Sequence, residues 1–310
     1  MRNDLKPIVR TVGLLAVLAS ASALVLGQGA APAQGGAQGG RGGGRGRGAA
    51  PAAAVPSGPA PLMSNGKPDL SGHWAEPYTP NMAVKGNVLD PKTRQPLTWP
   101  HMGEPLPDAA ANATGNGART YDLPYTEWGL KQWKEYNPVK NGDYAGSCLP
   151  FGMSRSINSP HGSQIIQNPD AIAFLWEQNT WFHWVPTNPS FKWPADLPES
   201  WNGLSVGHWE GDTLVIETSG FNGYTKLDTT GHPHSKGVKF TNTFLRKDAD
   251  TMEHTVTVHD PKAYTQDWMN VRTWRIRKYP DVIMEYSCEE NNGGVYDGAI
   301  TLWKRPENVD

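Results

Sequence analysis

The stretch LSVGHWEGDTLVIETSGF, Leu204 to Phe221, contains two short apolar runs separated by Glu-Gly-Asp at 210–212. A three-residue loop with a central glycine between two strand-like runs is typical of a β-hairpin. His208, Glu210 and Asp212 also stand at alternate positions, which on one straight strand would let their side chains converge on a metal ion. Because the turn interrupts that alternation, the sequence favours a hairpin over a metal site.

Strand-like patterns continue on both sides of this hairpin. In TMEHTVTVHD, alternate residues from Met252 to Val258 share one face of a strand, and in VRTWRIRK alternate residues from Arg272 to Ile276 do the same. Further strands are expected at Gln164–Gln167, Ile172–Gln178, Thr180–Val185 and in DVIMEYSCEE (281–290). About eight to ten short strands with short connections predict an antiparallel meander, and closure into a lipocalin-like barrel would remove its exposed edges.

The rest of the domain is expected to form a short helix and long surface loops. The helix is predicted in YTEWGLKQWKEY (125–136), with Thr126 as its N-cap. The chain has 27 Pro and 34 Gly, which favours turns over long helices, and its 13 Trp suit a core or a ligand pocket. A formal charge of −2 gives no global field for binding nucleic acid.

The N-terminus predicts export. Arg2, Lys6 and Arg10 precede the short apolar run Thr11–Gly27, which is the pattern of a secretory signal peptide at 1–27. Residues 28–62 are rich in Gly, Ala, Pro and Arg and are expected to form a disordered tether, followed by a single domain at 63–310. We therefore expect a periplasmic or extracellular protein with no membrane span in the mature chain.

The two cysteines, Cys148 and Cys288, are expected to form a disulfide, because export places them in an oxidising compartment. The bond would tie an early segment of the domain to a late one.

The loop LDTTGHPHS, Leu227 to Ser235, holds the strongest candidate for chemistry. His234 could couple with Asp228, or with a distant glutamate such as Glu290, for general acid–base work. The alternative is a solvated loop histidine, or one that hydrogen-bonds the backbone to fix the loop. The paired histidines lack the following glutamate of a cupin-type site, so neither a metal nor a cofactor is predicted.

A second group suggests ligand binding. Trp176 and Trp184 could form an aromatic surface, and Arg275 or Arg272 could pair with Glu285 in a cavity. The leading prediction is binding of a small, partly apolar or aromatic ligand in the barrel or at its mouth. A hydrolase, lyase or isomerase using His234 with a carboxylate, or a structural module of the cell envelope, are the alternatives.

Several motifs in the second half of the chain carry a resemblance. They are Ser205–Val215 (SVGHWEGDTLV), Gly220-Phe221, Gly231–Ser235 (GHPHS), Asp260-Pro261 with Trp268, and Glu285–Asn291 (EYSCEEN), with Cys148–Gly152 (CLPFG) before them. This set resembles an uncharacterised family of exported bacterial proteins, which implies export and supplies no activity. Separately, Gly72–Trp74 (Gly-x-Trp) at the head of the domain is similar to the start of lipocalin-like barrels.

Overall fold

The computed structural model describes residues 58–84, 86–107, 119–290, 292–307 and 309. The predicted signal peptide (1–27) and residues 28–57 of the predicted tether lie outside this part of the chain. The last residues of that predicted tether are described and contact the domain: the Gly58 carbonyl accepts a hydrogen bond from Ala249 N at 2.8 Å, and the Pro61 carbonyl accepts one from Asp69 N at 2.9 Å.

The described part of the chain is mainly β. Nine strands form one antiparallel sheet in the order β4-β3-β2-β1-β9-β8-β7-β6-β5. The strands are β1 Gly72–Ala75, β2 Ser163–Gln167, β3 Ala171–Trp176, β4 Phe182–Pro186, β5 Leu204–Glu210, β6 Thr213–Ser219, β7 Lys239–Arg246, β8 Thr251–His259 and β9 Trp268–Arg277.

The alternation in the sequence correctly identifies the buried face. Met252, His254, Val256 and Val258 of β8 are all 0% exposed, and β7 and β9 bury their alternate residues against them. Because a period of two places successive side chains on opposite faces, only one register buries this set. The inner face mixes large apolar side chains with polar ones such as Asn242 and Arg272.

Barrel closure is not confirmed. β1 and β9 pair, so the first strand joins the last, but β4 and β5 remain the two unpaired edges of the sheet. The connection 187–203, with prolines at 189, 194 and 198, separates these two strands in the chain. They approach through side chains instead: His183 Nε2 lies 2.7 Å from Ser205 Oγ.

The predicted strand at 281–290 is wrong. This segment has no β-pairing and ends in a turn at 288–290. The physical reason is that β9 already has β1 on one side and β8 on the other, so no edge is free beside it. The segment is instead held by Cys288, whose sulfur is bonded to that of Cys148. The predicted disulfide is confirmed.

Strands β5 and β6 form the predicted hairpin, with a tighter turn than expected. Glu210 pairs with Thr213, so the loop contains only Gly211 and Asp212 rather than three residues. Gly211 has φ +61°. A two-residue hairpin turn that matches strand twist requires such a φ at its first central position, which favours glycine.

The helices are short, and none of them is part of the sheet. They are α1 Glu127–Glu135, α2 Pro138–Asn141, α3 Met153–Ser156 and α4 Gly293–Tyr296. The predicted helix is confirmed as α1, and the Thr126 side chain caps it by accepting a hydrogen bond from Gly129 N. None of the described helices has the length and apolar character needed to cross a membrane.

The space inside the curled sheet is filled. Among the described residues, the void between Trp176, Phe174, Phe244 and their neighbours measures about 10 Å³. That is roughly the room needed by one water molecule. A ligand inside the sheet would therefore require the core to rearrange.

Candidate functional site

The loop between β6 and β7, residues 220–238, carries two of the predicted acid–base residues, Asp228 and His234, and packs against α1 and the segments that flank it. Gly231 fixes how closely it packs: its φ is +97°, and a Cβ there would lie 2.0 Å from Cε1 of Tyr136. A side chain at 231 would therefore have to displace the tyrosine ring. The loop and Tyr136, which follows α1, are positioned by the same contact.

His232 is the charged anchor of this loop. Its Nδ1 lies 2.6 Å from Asp228 Oδ2 and its Nε2 lies 2.9 Å from Asp122 Oδ2. The ring stacks on Trp133 of α1 with 4.5 Å between centroids. His232 is 0% exposed. Burial alone lowers its pKa, but the two carboxylates outweigh burial and raise the pKa to about 10. Both ring nitrogens therefore carry protons and donate to carboxylates.

Asp228 connects this anchor to a third segment. Its Oδ2 also accepts a hydrogen bond from Met82 N at 2.7 Å, and its Oδ1 accepts one from Thr230 Oγ1 at 2.8 Å. Burial raises the pKa of this carboxyl, and the charge and hydrogen bond of His232 more than offset that, so the net shift is downward. We call Asp122, Asp228 and His232 the carboxylate–histidine clamp, since they join the segments around residues 82, 122 and 230.

His234 has a different environment from His232, although only Pro233 separates them. Its Nδ1 lies 2.9 Å from the Ser235 carbonyl, so Nδ1 must carry a proton, and Nε2 accepts a hydrogen bond from Thr225 Oγ1 at 2.6 Å. Phe221 and Phe240 contact its ring edge-on. Burial lowers the pKa of His234 to about 4, so the ring is neutral at pH 7.

The predicted acid–base residues are not brought together. Asp228 bonds to His232, and His234 bonds to a hydroxyl and a backbone carbonyl. Glu290 is exposed in the segment after β9. The contacts of His234 therefore match the alternative prediction, in which a loop histidine fixes the backbone.

A cavity of about 440 Å³ lies beside this loop, between α1, α2, residues 223–226, residues 303–306 and residue 309. We call it the Lys226 cavity. Five aromatic side chains contribute to its wall: Trp128, Tyr136, Tyr144, Tyr224 and Trp303. Its volume falls within the ~300–1,000 Å³ typical of small-molecule pockets.

The described wall of this cavity is positively charged. Lys226, Lys304 and Arg305 line it, against one carboxylate, Glu135. Arg305 lies over the Tyr224 ring, 4.6 Å from its centroid, and its Nε donates to the Tyr224 hydroxyl at 2.6 Å. This set of charges favours an anion.

Lys226 is the central cation of the wall. Its backbone N donates to the Tyr144 hydroxyl at 3.1 Å, and its ammonium lies 5.9 Å from the centroid of the Tyr136 ring. Within the described residues it forms no ion pair with a carboxylate. Burial lowers its pKa to about 8.

The predicted ligand-binding residues lie elsewhere. Trp176 is 4% exposed inside the curled sheet. Trp184 is 40% exposed on β4, in an open outer groove beside Phe191. Arg275 and Glu285 are both exposed, and these two described side chains form no ion pair with each other.

Sequence reasoning missed Lys226, Tyr136, Trp303 and Arg305. Lys226 directly precedes the predicted loop Leu227–Ser235. It lies between two residues that are buried in the structure, Thr225 and Leu227, and the sequence does not show that burial. The other three come from distant parts of the chain, so no spacing connects them. The one sequence feature that could have indicated them is the closeness of an aromatic residue, Trp303, to Arg305.

Comparisons with known protein families, with curated proteins and with solved structures found no match to this chain. The family resemblance therefore stays a prediction. Within the described residues, no three His, Cys, Asp or Glu side chains are arranged to hold a metal ion. His208 and Glu210 contact each other at 3.2 Å on the exposed hairpin.

Proposed function

We propose that this protein is an exported binder of small aromatic carboxylates, which it holds in the Lys226 cavity. The observation that carries the proposal is the Lys226 ammonium, which lies in an aromatic wall without a carboxylate partner among the described residues. An anionic ligand binds such a cation with a larger gain in free energy than a cation that already has a carboxylate partner. The reason is that the ligand does not first have to displace that carboxylate.

Aromatic rings supply the rest of the recognition. Tyr136 and Trp303 present flat apolar surface, and Arg305 adds a planar cation that pairs well with a carboxylate. A flat acid can thus place its ring against the wall and its carboxylate toward the cations. The cavity replaces the predicted barrel interior, which is filled.

The test is binding of 2-naphthoate, measured by isothermal titration calorimetry and by quenching of tryptophan fluorescence. At roughly 0.3–0.5 kcal/mol per non-hydrogen atom, its 13 atoms give a Kd of roughly 20 µM to 1 mM. The neutral analogue 2-naphthylmethanol should bind at least about tenfold more weakly, since it forgoes about 1.4 kcal/mol or more of charge pairing.

Lys226→Met tests the site itself. This substitution keeps an unbranched side chain only one atom shorter and removes its charge, and we expect about a tenfold loss of 2-naphthoate affinity or more. Lys239→Met is the matched control, because Lys239 is exposed on β7 outside the cavity. Equal affinities for the acid and the alcohol, or equal losses in the two variants, would show that the proposal is wrong.

A further inference from the structure

We propose that Lys226 forms a covalent imine with an aldehyde or ketone group on a ligand in the Lys226 cavity. This inference rests on the proposed function, and it names the chemical class of ligand more narrowly: an aromatic acid that also carries a carbonyl group. Nothing in the acid–base predictions made from the sequence includes this residue.

Lys226 differs from three surface lysines of the described chain that form ion pairs. Lys236, Lys247 and Lys278 form ion pairs with Glu199, Glu253 and Asp250 respectively. Those three ammonium groups each lie beside a carboxylate. Lys226 lies instead in the cavity wall, near the Tyr136 ring, with no such partner among the described residues.

The surroundings of Lys226 favour the neutral amine. The same cavity wall holds aromatic rings, the neutral His234, the cations Lys304 and Arg305, and one carboxylate, Glu135. Burial lowers the pKa of Lys226 to about 8. At pH 7.5 roughly a quarter of such amines are neutral, against roughly 0.1% for an ordinary lysine, and only the neutral amine is a nucleophile.

The reaction needs no further reagent. The Nζ lone pair attacks the carbonyl carbon, the C=O π pair moves to oxygen, and a proton passes from nitrogen to that oxygen to give a carbinolamine. Loss of the hydroxyl as water then forms the C=N bond. The product is an imine plus one water, with no change in oxidation state. The cavity is open to solvent, so that water can leave.

The carboxylate and the carbonyl have separate roles in this arrangement. Lys304 and Arg305, near the chain end, can hold the carboxylate while Lys226 faces the carbonyl. A ligand held at one end places its reactive carbon beside the amine, which raises the effective concentration of the pair.

The experiment uses the full chain with 6-formyl-2-naphthoate, followed by reduction with sodium borohydride and peptide mapping by mass spectrometry. We expect one reduced adduct at Lys226, formed at least about tenfold faster than at any exposed lysine, with a rate that rises with pH and has its midpoint near 8. Lys226→Arg should abolish this adduct, and Lys239→Arg should leave it unchanged. Circular dichroism confirms that both variants fold.

The outcomes separate this inference from the proposed function. If 2-naphthoate binds but the aldehyde gives no reduced adduct at Lys226, the imine is refuted and the binding site stands. If exposed lysines are modified as fast as Lys226, the imine is refuted as well. If neither compound binds, both proposals fail.

Discussion

Replacing His232 with glutamine (His232→Gln) tests whether the carboxylate–histidine clamp holds a charged histidine. Glutamine keeps a polar side chain of similar reach and removes the positive charge from between Asp122 and Asp228. The pKa of His232 is raised from 6.5 to about 10 in the folded protein. A raised pKa contributes stability that is fully present below 6.5 and is lost as the pH rises through 10.

The magnitude follows from that shift. At pH 6 the raised pKa contributes about 4–5 kcal/mol to the free energy of unfolding, and at pH 9 the contribution falls to about 1–2 kcal/mol. Removing one partner of a buried ion pair costs about 3–5 kcal/mol, which agrees with the first figure. The difference in stability between wild type and His232→Gln should therefore shrink by about 3 kcal/mol between these pH values.

The assay is urea unfolding followed by tryptophan fluorescence, at pH 6 and pH 9, under oxidising conditions that keep the disulfide. Using the difference between the two proteins cancels titrations that they share, including that of Lys226, which runs in the opposite direction. A difference that stays the same at both pH values would refute a charged His232. A difference below about 1 kcal/mol at pH 6 would refute the clamp itself.

Three other perturbations have defined outcomes. Gly231→Ala should lower the free energy of unfolding in urea by about 1–3 kcal/mol, because residue 231 has a φ of +97° and contacts Tyr136. It should also weaken 2-naphthoate binding, and unchanged binding would contradict the idea that Gly231 positions Tyr136 in the cavity wall. Cys148→Ser should lower the free energy of unfolding by about 4–5 kcal/mol, from loss of a loop of 140 residues, with the reduced wild type as the comparison. Burial lowers the pKa of His183 to about 4, so acid favours the unfolded state, and stability falls as the pH drops from 6.5 toward 4. His183→Asn should remove about 2–3 kcal/mol of the loss between pH 7 and 4.5, and an unchanged slope would show that His183 is not the group.

The strands were predictable because their information is local. Alternation from Met252 to Val258 identifies the buried face of β8 without reference to any other part of the chain. Closure was not predictable, because it depends on where the connection 187–203 leaves β4 relative to β5. The wrong prediction of a strand at 281–290 has the same cause. The sequence does not show that β1 and β8 already pair with both sides of β9.

In the candidate site as well, the sequence predicts local features but not contacts between distant parts of the chain. The sequence marked the loop Leu227–Ser235 correctly as a place of polar chemistry, but it could not decide which histidine meets Asp228. That choice is made by Asp122 and Trp133, which contact His232 from far along the chain. The cavity wall likewise joins Tyr136 to Trp303 across most of the domain.

The two histidines of this short loop differ in charge. His232 is charged because two carboxylates contact it, and His234 is neutral because it is buried and its ring nitrogens contact a hydroxyl and a carbonyl. The charged one fixes the loop, which presses Gly231 against Tyr136 and so sets the wall of the Lys226 cavity. The neutral one lines the same cavity and adds no charge to it. His232 does not line the cavity, so a loss of 2-naphthoate binding in His232→Gln at pH 6 would show that the clamp acts on the cavity through the loop.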